Sequence, residues 1–220
     1  MIYDITKFTH LDYPEHLACI IWFSGCNMRC DYCYNSDIVF SKQGKYNTED
    51  AIEFLKKRVN KLDGVVLSGG EATGHYLYQF CEDIKELGFD IKLDTNGTYS
   101  RAVKELLDLN LIDYVALDYK APKSKFTRIT KSSRYNEFDK TLDYLINSNI
   151  KYEVRTTLHS DLLNENDINE IIKDLDSRGY KYNYYLQEFI DTQKNIGNIK
   201  APIYKFDKTK LVDNLNIVFR

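Results

Sequence analysis

The sequence predicts an α/β fold, an open, partial barrel of six parallel strands with helices on the outside. Short apolar, β-prone runs alternate with segments whose apolar residues recur at helical spacing, and the strand-like runs number six. Strands that alternate with helices favour one parallel sheet, and six units are too few for a closed eight-stranded barrel. The 220 residues suit a single domain, with a core over about residues 17–190 and a tail over residues 191–220.

The strands are apolar runs that end in turn residues. The first, LACIIWFS, is the most apolar, the second ends in paired glycines, and the third ends in the turn pair Asn96-Gly97. The predicted strands lie within residues 17–24, 63–71, 89–97, 112–120, 150–158 and 180–189.

The helices are predicted from apolar spacing and from their ends. In the first, Thr48 is the expected N-cap and apolar residues follow at Ile52, Leu55 and Val59; the second stops at Gly88. The predicted helices lie within residues 47–59, 76–88, 101–110, 134–149 and 164–179. Residues 121–134 are polar without periodicity, which predicts a long loop, and the tail lacks clear periodicity.

Composition excludes several classes of protein. A net charge of −3 argues against a nucleic-acid binder, which would carry a basic surplus. The polar N-terminal stretch is not a signal peptide, and the longest apolar run, LACIIWF, is too short to span a bilayer. We therefore expect a cytoplasmic protein without nucleic-acid or membrane partners. In a reducing compartment, five cysteines do not predict a disulfide framework.

Three of the five cysteines, Cys26, Cys30 and Cys33, lie within the stretch SGCNMRCDYCYN after the first strand. Thiolates at this density bind zinc or an iron–sulfur cluster. A structural zinc site needs a fourth ligand, from Cys19, Cys81 or a histidine. Both of those cysteines are expected in the core, and the four histidines share no metal-ligand spacing. A [4Fe–4S] cluster held by three cysteines keeps one iron open for a substrate.

The C-x3-C-x-aromatic-C pattern, followed by SGGE at residues 68–71, resembles the signature of radical S-adenosylmethionine (SAM) enzymes. The resemblance implies a partial (β/α)6 barrel in which Cys26, Cys30 and Cys33 ligate a [4Fe–4S] cluster. It also implies that SAM chelates the open iron and is cleaved to a 5′-deoxyadenosyl radical. The cofactors carry this chemistry, so no catalytic side chain is expected beyond them.

The SAM-binding residues follow from the same resemblance. SAM's amino end is assigned to Ser68, Gly69, Gly70 and Glu71, and the rest of the pocket to Asp94, Asp118, Lys120 and Arg155, all at predicted strand ends. Structural ion pairs, Asp118–Lys120 or Asp94–Lys120, are the alternative for the charged residues. Tyr32 is expected against adenine, and Asn35 either bonds the nucleoside or caps the next turn.

Further segments, KLDTNG, DYVALDYKAP and YEVRTT, resemble the activases of glycyl radical enzymes. Within them, the sequence is most similar to the anaerobic ribonucleoside-triphosphate reductase activating branch, in its variant near pyruvate formate-lyase activating enzyme. Such an activase abstracts hydrogen from a glycine of a glycyl radical enzyme, with electrons from a flavodoxin or ferredoxin. Tyr34 stands where the family often has histidine, and Ala72 where it often has proline.

Two other functions remain open on the sequence. One is a small-molecule radical SAM enzyme such as 7-carboxy-7-deazaguanine synthase, which is also compact. The other is a non-enzymatic module whose zinc or iron–sulfur centre serves structure or electron transfer.

Overall fold

The computed structural model describes residues 1–220, which form one sheet of eight strands in sequential order, β1 to β8. All neighbouring strands are parallel except β1 and β2, and no pairing joins β1 to β8, so the barrel stays open. The predicted fold class is confirmed, and the six predicted strands are β2 to β7. The strands are β1 Ile2–Thr9, β2 Ala18–Phe23, β3 Gly64–Gly69, β4 Asp90–Thr95, β5 Tyr114–Asp118, β6 Lys151–Leu158, β7 Tyr184–Glu188 and β8 Ile217–Phe219.

The five predicted helices are present, together with two that were not predicted. The helices are α1 Ser36–Phe40, α2 Thr48–Lys56, α3 Tyr78–Glu86, α4 Ser100–Asp108, α5 Lys123–Thr130, α6 Tyr135–Ile146 and α7 Glu165–Ser177. The expected cap at Thr48 is wrong by one residue, because Asn47 caps α2 and exchanges hydrogen bonds with Asp50. Gly88 follows α3 with φ +86°, as predicted for a C′ glycine.

The expectation of a long loop at residues 121–134 is wrong. The predicted loop at residues 121–134 contains α5, which buries Phe126, Ile129 and Thr130 on one face. The tail, whose sequence lacks clear periodicity, ends in β8, which pairs with β7. The sheet also gains β1, an edge strand in which only Ile2 and Thr9 are buried.

The core lies mainly between the outer face of the sheet and the helices, in one cluster of 44 buried residues. A second, small cluster fills the inside of the barrel near the amino ends of the strands. There the buried ring of Tyr13 covers Gly64, where a side chain would meet the ring at 2.8 Å. The barrel is thus closed at this end, and its cavity opens at the carboxyl ends of the strands. No helix of the chain is both long and apolar enough to cross a membrane.

Candidate active site

A cavity of about 320 Å³ lies at the carboxyl ends of the strands. All thirteen residues that the sequence predicted for the site line this one cavity. They are Cys26, Cys30, Tyr32, Cys33, Asn35, Ser68, Gly69, Gly70, Glu71, Asp94, Asp118, Lys120 and Arg155. The lining contains no histidine. The parallel sheet explains this convergence, because the loops that follow its strands meet at one edge.

The three clustered cysteines belong to the loop between β2 and α1. Cys30 is buried, at 6% exposure, whereas Cys26 and Cys33 are partly buried, and none is in a disulfide. Burial raises the pKa of Cys26 to about 11 and that of Cys30 to about 12. Both thiols are therefore protonated at neutral pH without a metal, and metal binding has to displace their protons.

Backbone hydrogen bonds hold this cysteine loop from two sides. On one side, the N–H groups of Arg29 and Asp31 donate to carbonyls in the last turn of α5, at 2.8 and 3.2 Å. On the other, the N–H groups of Ile196 and Gly197 in the tail donate to the carbonyls of Cys33 and Asp31, at 3.0 and 2.8 Å. The loop is thus positioned by elements distant in sequence, one of them the tail.

The paired glycines at the end of β3 permit a close approach of two backbone segments. Gly69 has φ +122°, and a Cβ on Gly70 would lie 1.9 Å from the carbonyl oxygen of Gly25. The N–H of Gly70 donates to the carbonyl of Phe23, and that of Glu71 to the carbonyl of Gly25, both at 2.9 Å. The SGGE segment therefore packs against the backbone that leads into Cys26, which only glycine allows.

The Glu71 carboxylate is enclosed by donors from the protein. Its Oε1 accepts from the Thr73 hydroxyl at 2.5 Å and the Thr95 hydroxyl at 2.7 Å, and its Oε2 accepts from the Asn96 N–H at 2.7 Å. Glu71 is 3% exposed, and its burial raises the pKa of the carboxyl despite these hydrogen bonds. The carboxylate ties the end of β3 to the end of β4, and a contact between Glu71 and SAM stays a prediction.

A largely buried charge network crosses the inner face of the sheet. Arg155 lies 2.5 Å from Asp118 and 3.4 Å from Asp94, Lys120 lies 2.9 Å from Asp118, and Lys92 lies 2.6 Å from Asp94. The structural pair Asp118–Lys120 thus exists, whereas Asp94 pairs with Lys92 and Arg155. Burial alone would raise the pKa of both aspartates, but the neighbouring cations outweigh it and lower the pKa of each. Both are ionised at neutral pH.

The residues present fit a three-cysteine cluster with a zwitterionic ligand better than a zinc ion. Cys19 and Cys81 are fully buried in the core, as predicted. No group of three His, Cys, Asp or Glu side chains is arranged so that it could hold one metal ion. A cubane cluster instead distributes its cysteine ligands over separate irons. The cavity also offers paired charges of both signs, and the buried Tyr32 hydroxyl has no hydrogen-bond partner.

Twelve lining residues were not predicted. Several share a strand face with predicted ones, since side chains two residues apart point to the same side. By that signal Thr157 could have been found from Arg155. The same spacing relates Asp94 to Lys92, which pairs with it but does not line the cavity. The twelve are Asp12, Trp22, Met28, Tyr34, Val39, Thr95, Asn96, Thr157, Gln187, Glu188, Phe189 and Ile190.

Residues 20–176 match the radical SAM superfamily. The chain is 32% identical over 183 residues to a Methanocaldococcus jannaschii protein provisionally named a glycyl-radical enzyme activating enzyme, covering 79% of this chain and 74% of that protein. It is 34% identical over 152 residues to pyruvate formate-lyase 1-activating enzyme of Escherichia coli K12, covering 62% of this chain and 58% of that enzyme. It is 28% identical over 133 residues to 7-carboxy-7-deazaguanine synthase of Clostridium acetobutylicum, covering 56% of each.

Solved structures share the fold at low sequence identity. SuiB of Streptococcus suis bound to the precursor peptide SuiA has a TM-score of 0.71 at 14% identity, over 91% of this chain and 48% of SuiB. QueE of Escherichia coli has a TM-score of 0.56 at 16% identity, over 100% of this chain and 92% of QueE. The chain thus spans about half of SuiB and nearly all of QueE.

Proposed function

The chain belongs to the radical SAM superfamily, and from this premise we propose that it activates a glycyl radical enzyme. In this proposal it cleaves SAM reductively and abstracts a hydrogen atom from one glycine of a partner protein. The observation that carries the proposal is the convergence of the three cysteines and the buried charge network on one cavity. The similarity to two proteins named as activating enzymes supports the choice of substrate.

Each group of lining residues has a part in this proposal. Cys26, Cys30 and Cys33 would ligate three irons of a [4Fe–4S] cluster, which with bound SAM supplies one-electron cleavage and hydrogen-atom abstraction. The SGGE backbone after β3 would receive the SAM amino group, with Glu71 holding that segment in place. Tyr32 and Asn35 would contact the nucleoside.

The charge network would orient the other end of SAM. Asp118 and Asp94 are ionised, and they hold Arg155 and Lys120 at the cavity wall. A carboxylate entering the cavity would meet Lys120 or Arg155, and a sulfonium would be stabilised by either aspartate. Because these groups are fixed by one another, they orient a ligand without first reorganising.

The proposed partners follow from the resemblance to the activases. The protein substrate is a glycyl radical enzyme, for which we propose anaerobic ribonucleoside-triphosphate reductase. The electron donor is a flavodoxin or a ferredoxin. A cavity that opens at one end of a short barrel suits a protein segment that reaches in.

A second candidate is 7-carboxy-7-deazaguanine synthesis. It is favoured by the relative of that name, to which this chain is 28% identical over 133 residues. The activase proposal is preferred because the relatives named as activating enzymes are more similar in sequence and match longer segments.

An anaerobic mixing experiment separates the two candidates. The reconstituted protein, SAM and a strong reductant are combined with anaerobic ribonucleoside-triphosphate reductase, and EPR is recorded. We expect a glycyl radical doublet with the native protein and none with Cys30→Ala. Conversion of a pterin-like substrate without any doublet would instead assign the synthase activity.

A further inference from the structure

The side chain of Asn96 points its amide at a cysteine sulfur. Asn96 follows β4, lines the cavity and is 4% exposed. Its Nδ2 lies 3.8 Å from the Sγ of Cys26, within reach of an N–H···S hydrogen bond. In the sequence Asn96 stands out only as part of the turn pair Asn96-Gly97, so this contact gives it a second role.

Neighbouring donors determine which way the Asn96 amide faces. Its Oδ1 accepts from the backbone N–H of Thr98 at 3.0 Å and from the Thr98 hydroxyl at 2.6 Å. That hydroxyl in turn accepts from the Asn27 amide at 2.7 Å, so its own proton is free to be donated to Asn96. A flipped Asn96 would place N–H groups against the Thr98 N–H, which has no lone pair to offer.

The amide nitrogen of Asn96 therefore has two hydrogens that can be donated. One goes to Oδ1 of Asn27, at 3.0 Å, and the other faces Cys26 Sγ. The backbone N–H of Met28 also approaches this sulfur, at 3.4 Å. No N–H group is directed at the sulfur of Cys30 or Cys33, so Cys26 alone of the three thiols receives such donors.

We propose that Asn96 is a positioning residue that hydrogen-bonds the Cys26 sulfur and raises the reduction potential of the cluster held there. The inference rests on the proposed role of Cys26, Cys30 and Cys33 as cluster ligands. Reduction adds one electron, and part of the added negative charge resides on the sulfurs. An N–H donor stabilises that charge, so it favours the reduced state without any bond being made or broken.

The location of the donor fits its task. Thr98 is fully buried, and Thr95, the residue before Asn96, donates its hydroxyl to Glu71, so the loop after β4 is held on both sides of Asn96. A donor fixed in this way keeps its orientation when the charge on the sulfur changes. A flavodoxin or ferredoxin reduces the cluster more readily when the potential of the cluster is higher.

The test is a redox titration of the reconstituted cluster, followed by the EPR signal of its reduced form. Asn96→Leu removes both amide hydrogens without adding charge, and we expect a more negative midpoint potential than in the native protein at equal iron content. Thr98→Val removes only the orienting hydroxyl and should shift the midpoint in the same direction, by less.

A matched control contacts the same loop from α6. The Thr141 hydroxyl donates to the carbonyl of Gly97 at 2.6 Å but does not touch the Asn96 amide. Thr141→Val should therefore leave the midpoint unchanged. An equal shift in this control would trace the effect to a loosened loop and overturn the proposal.

Two further outcomes decide the inference. Should Asn96→Leu fail to fold, Asn96→Ser replaces it, because serine is too short to reach the sulfur. The midpoint potential of Asn96→Ser must then also be more negative than that of the native protein. If an Asn96 variant holds its full iron content and cleaves SAM but keeps the native midpoint potential, only this inference is refuted. Native protein that acquires no iron at the three cysteines refutes the proposed function as well.

Discussion

At the scale of single residues, the proposed binding of SAM depends most on the charge network of Asp94, Asp118 and Arg155. Asp94, Asp118 and Arg155 are largely buried, with side chains 14–20% exposed, and removing one member leaves its partners without full compensation. A buried charge network contributes little net stability compared with apolar residues of the same size. Its presence in the wall of a cavity therefore favours a role in ligand binding.

Asp94→Asn tests this role. The amide keeps the shape but loses the charge that pairs with Lys92 and Arg155, so Lys92 loses its carboxylate partner and Arg155 keeps only Asp118. We expect SAM affinity to fall about tenfold, or ~1.4 kcal/mol, with iron content unchanged. Calorimetric titration of the reconstituted protein measures it. The control is Asp113→Asn, since Asp113 pairs with Lys85 at 2.8 Å outside the cavity. If Asp94→Asn bound SAM with native affinity, the role of Asp94 would be structural rather than in ligand binding.

A second test compares two buried cysteines. Cys30 lines the cavity, whereas Cys81 lies on α3 within the core. Cys30→Ala should abolish SAM cleavage, because its iron would lose its only protein ligand. Cys81→Ala should keep full iron content, with a destabilisation of about 1 kcal/mol from the small cavity. Iron counting and SAM-cleavage assays measure both, and the opposite result for either cysteine would reverse its assignment.

The site residues differ in how visible they are in sequence. The cysteines and the SGGE segment stand in recognisable motifs, and the charged residues stand at predicted strand ends. Lys92 could have been found from its spacing to Asp94. The contact between Asn96 and Cys26 could not, because it joins residues 70 apart whose distance depends on how the two loops pack.

At the scale of elements, the sequence predicts those that bury an apolar face. The strands β2 to β7 pack against the helices on the outside of the sheet, so their apolar runs are unmistakable. By contrast, β1 is an edge strand with only two of its eight residues buried, and β8 has only three residues. Helix α5 did carry a signal in Phe126 and Ile129, but Pro122 and a run of polar residues obscured it.

The contact between the tail and the cysteine loop gives a prediction for an element. Gly197 packs so closely that a Cβ would lie 2.7 Å from the Cβ of Asp31. Gly197→Ala should therefore displace the tail and break its two hydrogen bonds to the loop, which are together worth about 1–3 kcal/mol. We expect a severalfold faster release of iron to a chelator, measured anaerobically by absorbance.

The control for that prediction is Lys194→Ala. Lys194 and Asp37 form an ion pair between the tail and α1, but both side chains are exposed and such pairs contribute little. Iron release from Lys194→Ala should be native. Native release from Gly197→Ala would show that the tail does not position the loop.

At the scale of the whole molecule, the fold and the proposed cofactor site depend on different interactions. The core cluster of 44 residues lies mainly between helices and sheet, and backbone hydrogen bonds to α5 and the tail hold the cysteine loop. Neither requires a metal. The chain therefore differs from small zinc domains, whose folding depends on the ion.

Removal of iron should accordingly leave the protein folded. After anaerobic chelation we expect an unchanged far-UV circular dichroism spectrum and a cooperative thermal transition. The Tm should be lower than that of the loaded protein, because a ligand that binds only the folded state stabilises it by mass action. Cys30→Ala should show the same Tm with and without iron and sulfide, since it lacks a complete site. Loss of secondary structure on chelation would instead mean that the cluster organises the barrel, and that the apolar core alone is insufficient to hold eight strands in register.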